Sequence, residues 1–189
     1  MADPVFQNDD PRVKTGSDSS TIPATLLQNE LVNVFRDVGQ SVDNRRIPRL
    51  LASRDEARAI MNVVPWRSSL QAIDFEANRA VVVGNALERY RIVHFATHAL
   101  ADEKRPESSG IVLSLVDQRG RPQEGFLRLD DIYGLRLSAN LVVLSACQTG
   151  LGKDVQGEGL IGLTRGFMYA GARGLWRLYG KSMTKPRPN

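Results

Sequence analysis

The chain has 189 residues, 42% of them hydrophobic and 24% charged, which suits one globular domain with a sizeable core. Its single cysteine excludes an internal disulfide, no apolar run approaches a membrane span, and the polar opening M-A-D-P-V-F-Q-N-D-D lacks a signal-peptide pattern, so a cytoplasmic location is expected. The net charge of +4 comes from basic residues interspersed with acidic ones except in the last few positions, so neither a nucleic-acid nor a membrane partner is predicted.

In chain order, residues 1–24 are rich in Asp, Ser, Asn and Pro without hydrophobic periodicity and predict a disordered leader. Residues 25–45 hold Leu27, Leu31, Val34, Phe35, Val38 and Val42 at helical spacing, an amphipathic helix followed by a basic connection through Pro48. Ser53 and Glu56 form an S-x-x-E pattern that reads as a capping box, and Pro65 closes the helix that follows. A short strand is expected over 69–73 and a helix over 77–90, entered from Asp74 or Asn78 and weakened at Gly84. Residues 91–98, R-I-V-H-F-A-T-H, read as a strand, and the order strand, helix, strand predicts parallel βαβ units. Residues 111–116 and 126–129 read as a hairpin with a long turn, Asp130 as the cap of a short helix over 131–135, and 141–145 as a buried strand. Leu160, Leu163, Phe167 and Met168 mark a last helix packed on the sheet.

The chemistry concentrates at the ends of two of these strands. Cys147 follows L-V-V-L-S-A, where a thiol at the carboxyl end of a strand can serve as a nucleophile; the bland alternative is a small buried hydrophobe. His98 ends the other strand, 49 positions earlier. A histidine about 50 residues before a Q-A-C-[RQG]-G motif is the caspase signature, and S-A-C-Q-T-G stands at a similar distance here. Two neighbouring parallel strands ending at one sheet edge would bring imidazole and thiol together.

Five stretches taken together resemble the CHAT domain, a caspase-like domain often found beside TPR helical repeats in bacteria: S-R-D-E-A at Ser53, Y-R-I-V-H-F-A-T-H at Tyr90, S-G-I-V-L at Ser109, L-V-V-L-S-A-C-Q-T-G-L-G at Leu141, and G-E-G-L-I-G-L-T-R-G-F-M-Y-A-G-A at Gly157. The resemblance implies a caspase-type α/β three-layer sandwich with a mostly parallel sheet over residues 46–173, and a cysteine endopeptidase acting through a dyad of His98 and Cys147. It further implies an oxyanion hole from the backbone N–H groups of Ala99 and Cys147. Most family members resemble H-G where this chain has His98-Ala99, and an alanine there would be strained if φ had to be positive. The expected partners are a peptide or protein substrate and a TPR or other helical-repeat protein, with no cofactor and no metal. The competing function is a non-catalytic scaffold that docks such a partner through the 25–42 helix.

After Ala172 the resemblance breaks. The family pattern continues with a buried strand like V-A-T-L-W-K-V-D-D-K-A-T, whereas this chain reads W-R-L-Y-G-K-S-M-T-K-P-R from Trp176 to Arg187. A coding of the family segment read one base late yields that tail, so residues 174–189 are expected to be an aberrant basic tail from a frameshift. The fold is then expected to lack its C-terminal strand, with loss of a pocket wall and of activity.

Other residues have simpler readings. His94 and His98 make H-x-x-x-H, but the β-branched setting puts them on a strand, where they would not chelate zinc as helix neighbours do; His94 is expected to be packed or hydrogen-bonded. Ser145 lacks a G-x-S-x-G setting and is expected to be structural. Glu158 is a candidate for ordering its loop or reading a basic substrate residue, with a solvated charge as the alternative. Asp130 and Asp131 read as helix-start carboxylates, with a substrate role as the alternative. The glycines around 150–159 lack phosphate-loop spacing.

Overall fold

A computed structural model of the chain describes residues 1–14, 46–102, 105–145 and 158–178. The expected amphipathic helix over 25–42, Cys147, the glycine-rich loop before Glu158 and the tail beyond residue 178 lie outside the described residues.

Five parallel strands form the main sheet: β1 (Ala2–Pro4), β2 (Ile73–Asp74), β3 (Ile92–Ala96), β7 (Leu141–Ser145) and β8 (Leu175–Leu178), in the spatial order β2-β1-β3-β7-β8. A second, antiparallel sheet holds β4 (Ala99–Leu100), β5 (Gly110–Val112) and β6 (Phe126–Arg128). The helices are α1 (Leu51–Val63), α2 (Arg79–Val83), α3 (Leu129–Tyr133) and α4 (Glu158–Tyr169). The architecture is thus mixed α/β with a mostly parallel sheet, as the sequence predicts.

Side-chain alternation along β3 and β7 sorts the layers. Val93, Phe95, Val142 and Leu144 join Val82, Leu163 and Phe167 in the main core, with the Phe95 and Phe167 rings 5.8 Å apart, so α2 and α4 cover that face. His94 and Ser145 point to the opposite face, where both meet Glu56 of α1. Because both faces are covered, β3 and β7 carry near-continuous apolar runs instead of alternating ones. A smaller core of Phe6, Ile47, Leu100, Leu115 and Phe126 lies against the second sheet.

Three expectations are corrected. The first residues of the expected disordered leader are built into the fold: Ala2, Val5 and Phe6 are buried, and Ala2 pairs with both Ile73 and Ala96. Charge and proline disguise this strand, because Asp3 is buried beside three arginines. The S-x-x-E pattern is no capping box: Leu50 is the N-cap, Ser53 sits in the first turn accepting from the Asp3 amide at 3.1 Å, and Glu56 turns inward to the sheet. Tertiary partners have taken the groups that a cap would use.

The third correction concerns the C-terminal strand expected to be missing. Leu175–Leu178 lies beside β7 in parallel register from Val142↔Leu175 to Ser145↔Leu178. Ladder hydrogen bonds come from the backbone, so L-W-R-L can take a strand's place whatever its side chains. Leu175 packs against the main core while Trp176 stays 64% exposed, a partial substitute for a buried family strand.

Smaller differences follow local chemistry. The helix expected over 77–90 is only Arg79–Val83, because Asn78 caps it by accepting from the Val81 amide and Gly84 ends it. Asp131 caps α3 in place of Asp130: its carboxylate accepts from the Arg128 amide at 3.0 Å and pairs with Arg79, while Asp130 is exposed. Asp131 is thus engaged within the fold. Among the described residues, no helix is long and apolar enough to cross a membrane.

Candidate active site

The parallel pairing of β3 with β7 runs from Ile92↔Leu141 to Ala96↔Ser145 without a shift. His98 follows Ala96 by two positions, and Cys147 follows Ser145 by two. The two strands therefore leave the sheet side by side at its carboxyl edge, where α/β folds place ligands. Cys147 itself lies outside the described residues.

His98 is 3% exposed and lies under Phe6, with ring centroids 5.6 Å apart. Its Nε2 lies 2.7 Å from the Pro48 carbonyl oxygen. A carbonyl can only accept, so Nε2 carries the hydrogen, and the basic lone pair of the neutral ring falls on Nδ1. Burial lowers the pKa of His98 below its ordinary value, against the opposing effect of the Pro48 carbonyl. A neutral imidazole of fixed tautomer is what a general base beside a thiol requires.

The segment that supplies Pro48 is itself clamped. The buried Asp3 carboxylate receives Arg49 at 2.7 and 2.6 Å and Arg54 at 2.6 Å, with Arg12 at 3.3 Å. Arg12 and Arg54 also hold Asp74, and Arg12 reaches Asp10 at 2.7 Å. Asp3, in the middle of β1, and Asp74, at the end of β2, have φ of 47° and 52°, a left-handed conformation that aspartate tolerates better than most side chains. Burial alone would raise the pKa of Asp3, but the hydrogen bonds from Arg49 and Arg54 and the nearby Arg12 charge bring it below its ordinary value.

Glu56 joins the two site strands. Its Oε1 lies 3.0 Å from His94 Nε2, and its Oε2 accepts from Ser145 Oγ at 2.8 Å. His94 and Ser145 are thus packed and hydrogen-bonded, and His94 does not converge with His98 on a metal position. Sequence reasoning missed Glu56 as a site-framing residue; its spacing from Ser53 suggested a cap, and only the fold brings it to both strands.

Ala99 is buried and pairs with Ile111, between the Val112 amide's hydrogen bond to the His98 carbonyl and the Leu100↔Gly110 pair. This is a non-hydrogen-bonded position of the antiparallel ladder, so the Ala99 N–H points away from β5. Ala99 is not among the residues with positive φ, and alanine in place of glycine is unstrained there. Glu158 opens α4, and Gly159 beside it is held so close to the Asp102 carbonyl that an added Cβ would lie 2.7 Å from it.

A mixed α/β unit whose mostly parallel sheet has helices on both faces is consistent with a caspase-like fold. The CHAT domain family model matches residues 1–176, nearly the whole chain, and the chain belongs to that family. No match was found among curated proteins.

Proposed function

We propose that the chain is a CHAT-type cysteine endopeptidase domain in which Cys147 is the nucleophile and His98 the base. The observation that carries this reading is the unshifted β3–β7 register, from which His98 and Cys147 follow at equal distance. His98 Nδ1 takes the Cys147 proton as sulfur attacks the peptide carbonyl, and the same imidazole then protonates the leaving amine. Water, deprotonated by His98, attacks the thioester and releases the acid and the thiol. The Ala99 N–H, directed away from β5, is available with that of Cys147 to hold the developing oxyanion. The substrate is an extended peptide or protein segment, and the helical-repeat partner remains part of this proposal on family resemblance alone.

The tail enters the same proposal. The family match stops at residue 176, where the shifted reading begins, which supports a frameshift from Trp176 onward. The source gene decides this: codons that do not restore V-A-T-L-W-K-V-D-D when read one base earlier end the idea.

The test of function is a peptidase assay on this chain and on one with the C-terminus restored in frame, each beside Cys147→Ala and His98→Ala. The restored chain is expected to cleave, with Cys147→Ala inactive and His98→Ala slower by about a hundredfold to ten-thousandfold. Alkylation of the only thiol in the chain reports the dyad independently of substrate. Equal labelling rates at neutral pH with and without His98 would overturn the assignment.

A further inference from the structure

The Pro48 carbonyl that meets His98 belongs to a stretch with no ladder of its own. Residues 46–50 form neither helix nor strand, and Pro48 and Arg49 are exposed. The peptide plane that carries this carbonyl turns with the backbone on either side of it, so the aim of the 2.7 Å contact with His98 Nε2 depends on what grips residues 47, 49 and 50.

All three grips lead back to one short segment, residues 3–7. Gln7 Nε2 donates to the Ile47 carbonyl at 3.0 Å. Asp3 takes Arg49 in two parallel bonds of 2.7 and 2.6 Å, a fork that fixes orientation as well as distance. Ser53 Oγ donates to the Leu50 carbonyl at 2.6 Å and accepts from the Asp3 amide at 3.1 Å, so this grip also ends at Asp3. Between Asp3 and Gln7, Phe6 lies against the His98 ring and is buried in the same small core as Ile47. The segment is itself anchored at Val5, whose amide donates to Ser114 Oγ at 3.0 Å and whose carbonyl accepts from the Leu115 amide at 2.9 Å. Carbonyl and imidazole are therefore both placed against the same stretch of chain.

We infer that residues 3–7 are a cradle for the base of the dyad, with Asp3 and Gln7 as its positioning residues; this rests on the assignment of His98 and Cys147 proposed above. Asp3 acts through Arg49 and Gln7 through Ile47. A carbonyl held in place holds the Nε2–H that donates to it, and so fixes the direction in which Nδ1 faces. Proton transfer feels this steeply, since a displacement of about 1 Å can slow a reaction roughly a hundredfold. If the same contacts only fasten a loop, removing one of them leaves His98 as it was.

The test uses the full chain with Arg49→Met and, separately, Gln7→Met. Each removes one grip, and Asp3 keeps Arg54 and Arg12, so no buried charge is stranded. Arg79→Met, which breaks the ion pair with Asp131 and no contact of residues 46–50, is the control for lost stability. One readout is solvent exchange of the His98 ring N–H, followed by NMR of the nitrogen-labelled chain; there are two histidines, and His94→Gln assigns them. The other is alkylation of Cys147, the only thiol, by iodoacetamide at neutral pH. Both cradle variants are expected to exchange the ring proton about tenfold faster, the equivalent of one hydrogen bond, and to alkylate about threefold to tenfold more slowly. Arg49→Lys, which keeps a charged donor without the fork, should fall between, and Arg79→Met should match the unaltered chain in both. The inference falls if Arg79→Met quickens ring exchange as much as the cradle variants do, or if the cradle variants change neither readout. The two assignments fail separately. Alkylation indifferent to His98→Ala sinks the dyad, whereas alkylation slowed by His98→Ala but not by Arg49→Met or Gln7→Met sinks the positioning role alone.

Discussion

The two ends of the parallel sheet are built on opposite principles. At the carboxyl end, the β1 and β2 termini are locked by Asp3, Asp74 and Asp10 against Arg12, Arg49 and Arg54, and every one of these groups has a partner. At the amino end, beside the start of β3, lies a cavity of about 570 Å³ whose lining is mostly apolar and holds no carboxylate. A buried charge cluster fixes geometry because each group is costly to leave alone, whereas an apolar cavity accepts whatever fills it. Rigidity at the carboxyl end holds the Pro48 segment, and with it the carbonyl that meets His98.

The largest expected effect on this contrast comes from the lock. Asp3→Asn leaves Arg49 and Arg54 facing a neutral amide in a buried setting and is expected to cost about 3 kcal/mol, as for other broken buried pairs. Urea denaturation measures it. Because Arg49 adjoins Pro48, hydrogen exchange should quicken at the carboxyl edge, around Ala96, while the walls of the amino-end cavity stay as they were. Equal loosening at both ends would mean that the two ends are one cooperative unit.

Glu56 tests how the ends communicate, since α1 covers the cavity with Ala57 and Ile60 and the site strands with Glu56. Glu56→Ala leaves Ser145 and His94 without their acceptor and is expected to cost about 1–3 kcal/mol. Glu56→Gln keeps one acceptor oxygen and should cost less. The discriminating measurement is the amide exchange of Ser145 and its β7 neighbours, which should rise in the alanine variant even where global stability is restored by a stabilising osmolyte. No change there would reduce Glu56 to a packing residue.

How much of this was legible in the sequence follows from what each element is made of. β3 and β7 were readable because residues buried on both faces form apolar runs, and their shared edge followed from helices placed between strands. β1 was not, because A-D-P looks like a turn until three arginines from distant positions surround Asp3. Ser53 and Glu56 have the right spacing for a cap, yet the Asp3 amide, His94 and Ser145 claim them, and such long-range partners leave no local signal. The Pro48 carbonyl on His98 is likewise invisible, since a backbone atom 50 positions away has no side-chain signature. β8 stands where the sequence predicts a missing strand, because pairing tolerates sequences that packing would not favour.

The smallest effect is also the one that separates the two histidines. Burial lowers the pKa of both below 6.5, for His98 against the Pro48 carbonyl and for His94 against the raising influence of Glu56. A histidine with a lowered folded pKa binds fewer protons folded than unfolded, so its contribution to stability is intact above about pH 6.5 and is lost as pH falls from there toward the folded value. Stability measured by denaturant between pH 7.5 and 5 should therefore decline on the acid side, and replacing either histidine by glutamine should flatten the slope. Glu56→Gln removes an influence that raises the His94 pKa, so the folded value drops further, the window widens, and the acid loss becomes steeper in that variant. In a Glu56→Gln, His94→Gln double variant the extra loss should vanish, leaving only the His98 slope of the carboxyl end. If it persists, the added sensitivity comes from His98, and the polar bridge of Glu56 extends to the locked end of the sheet.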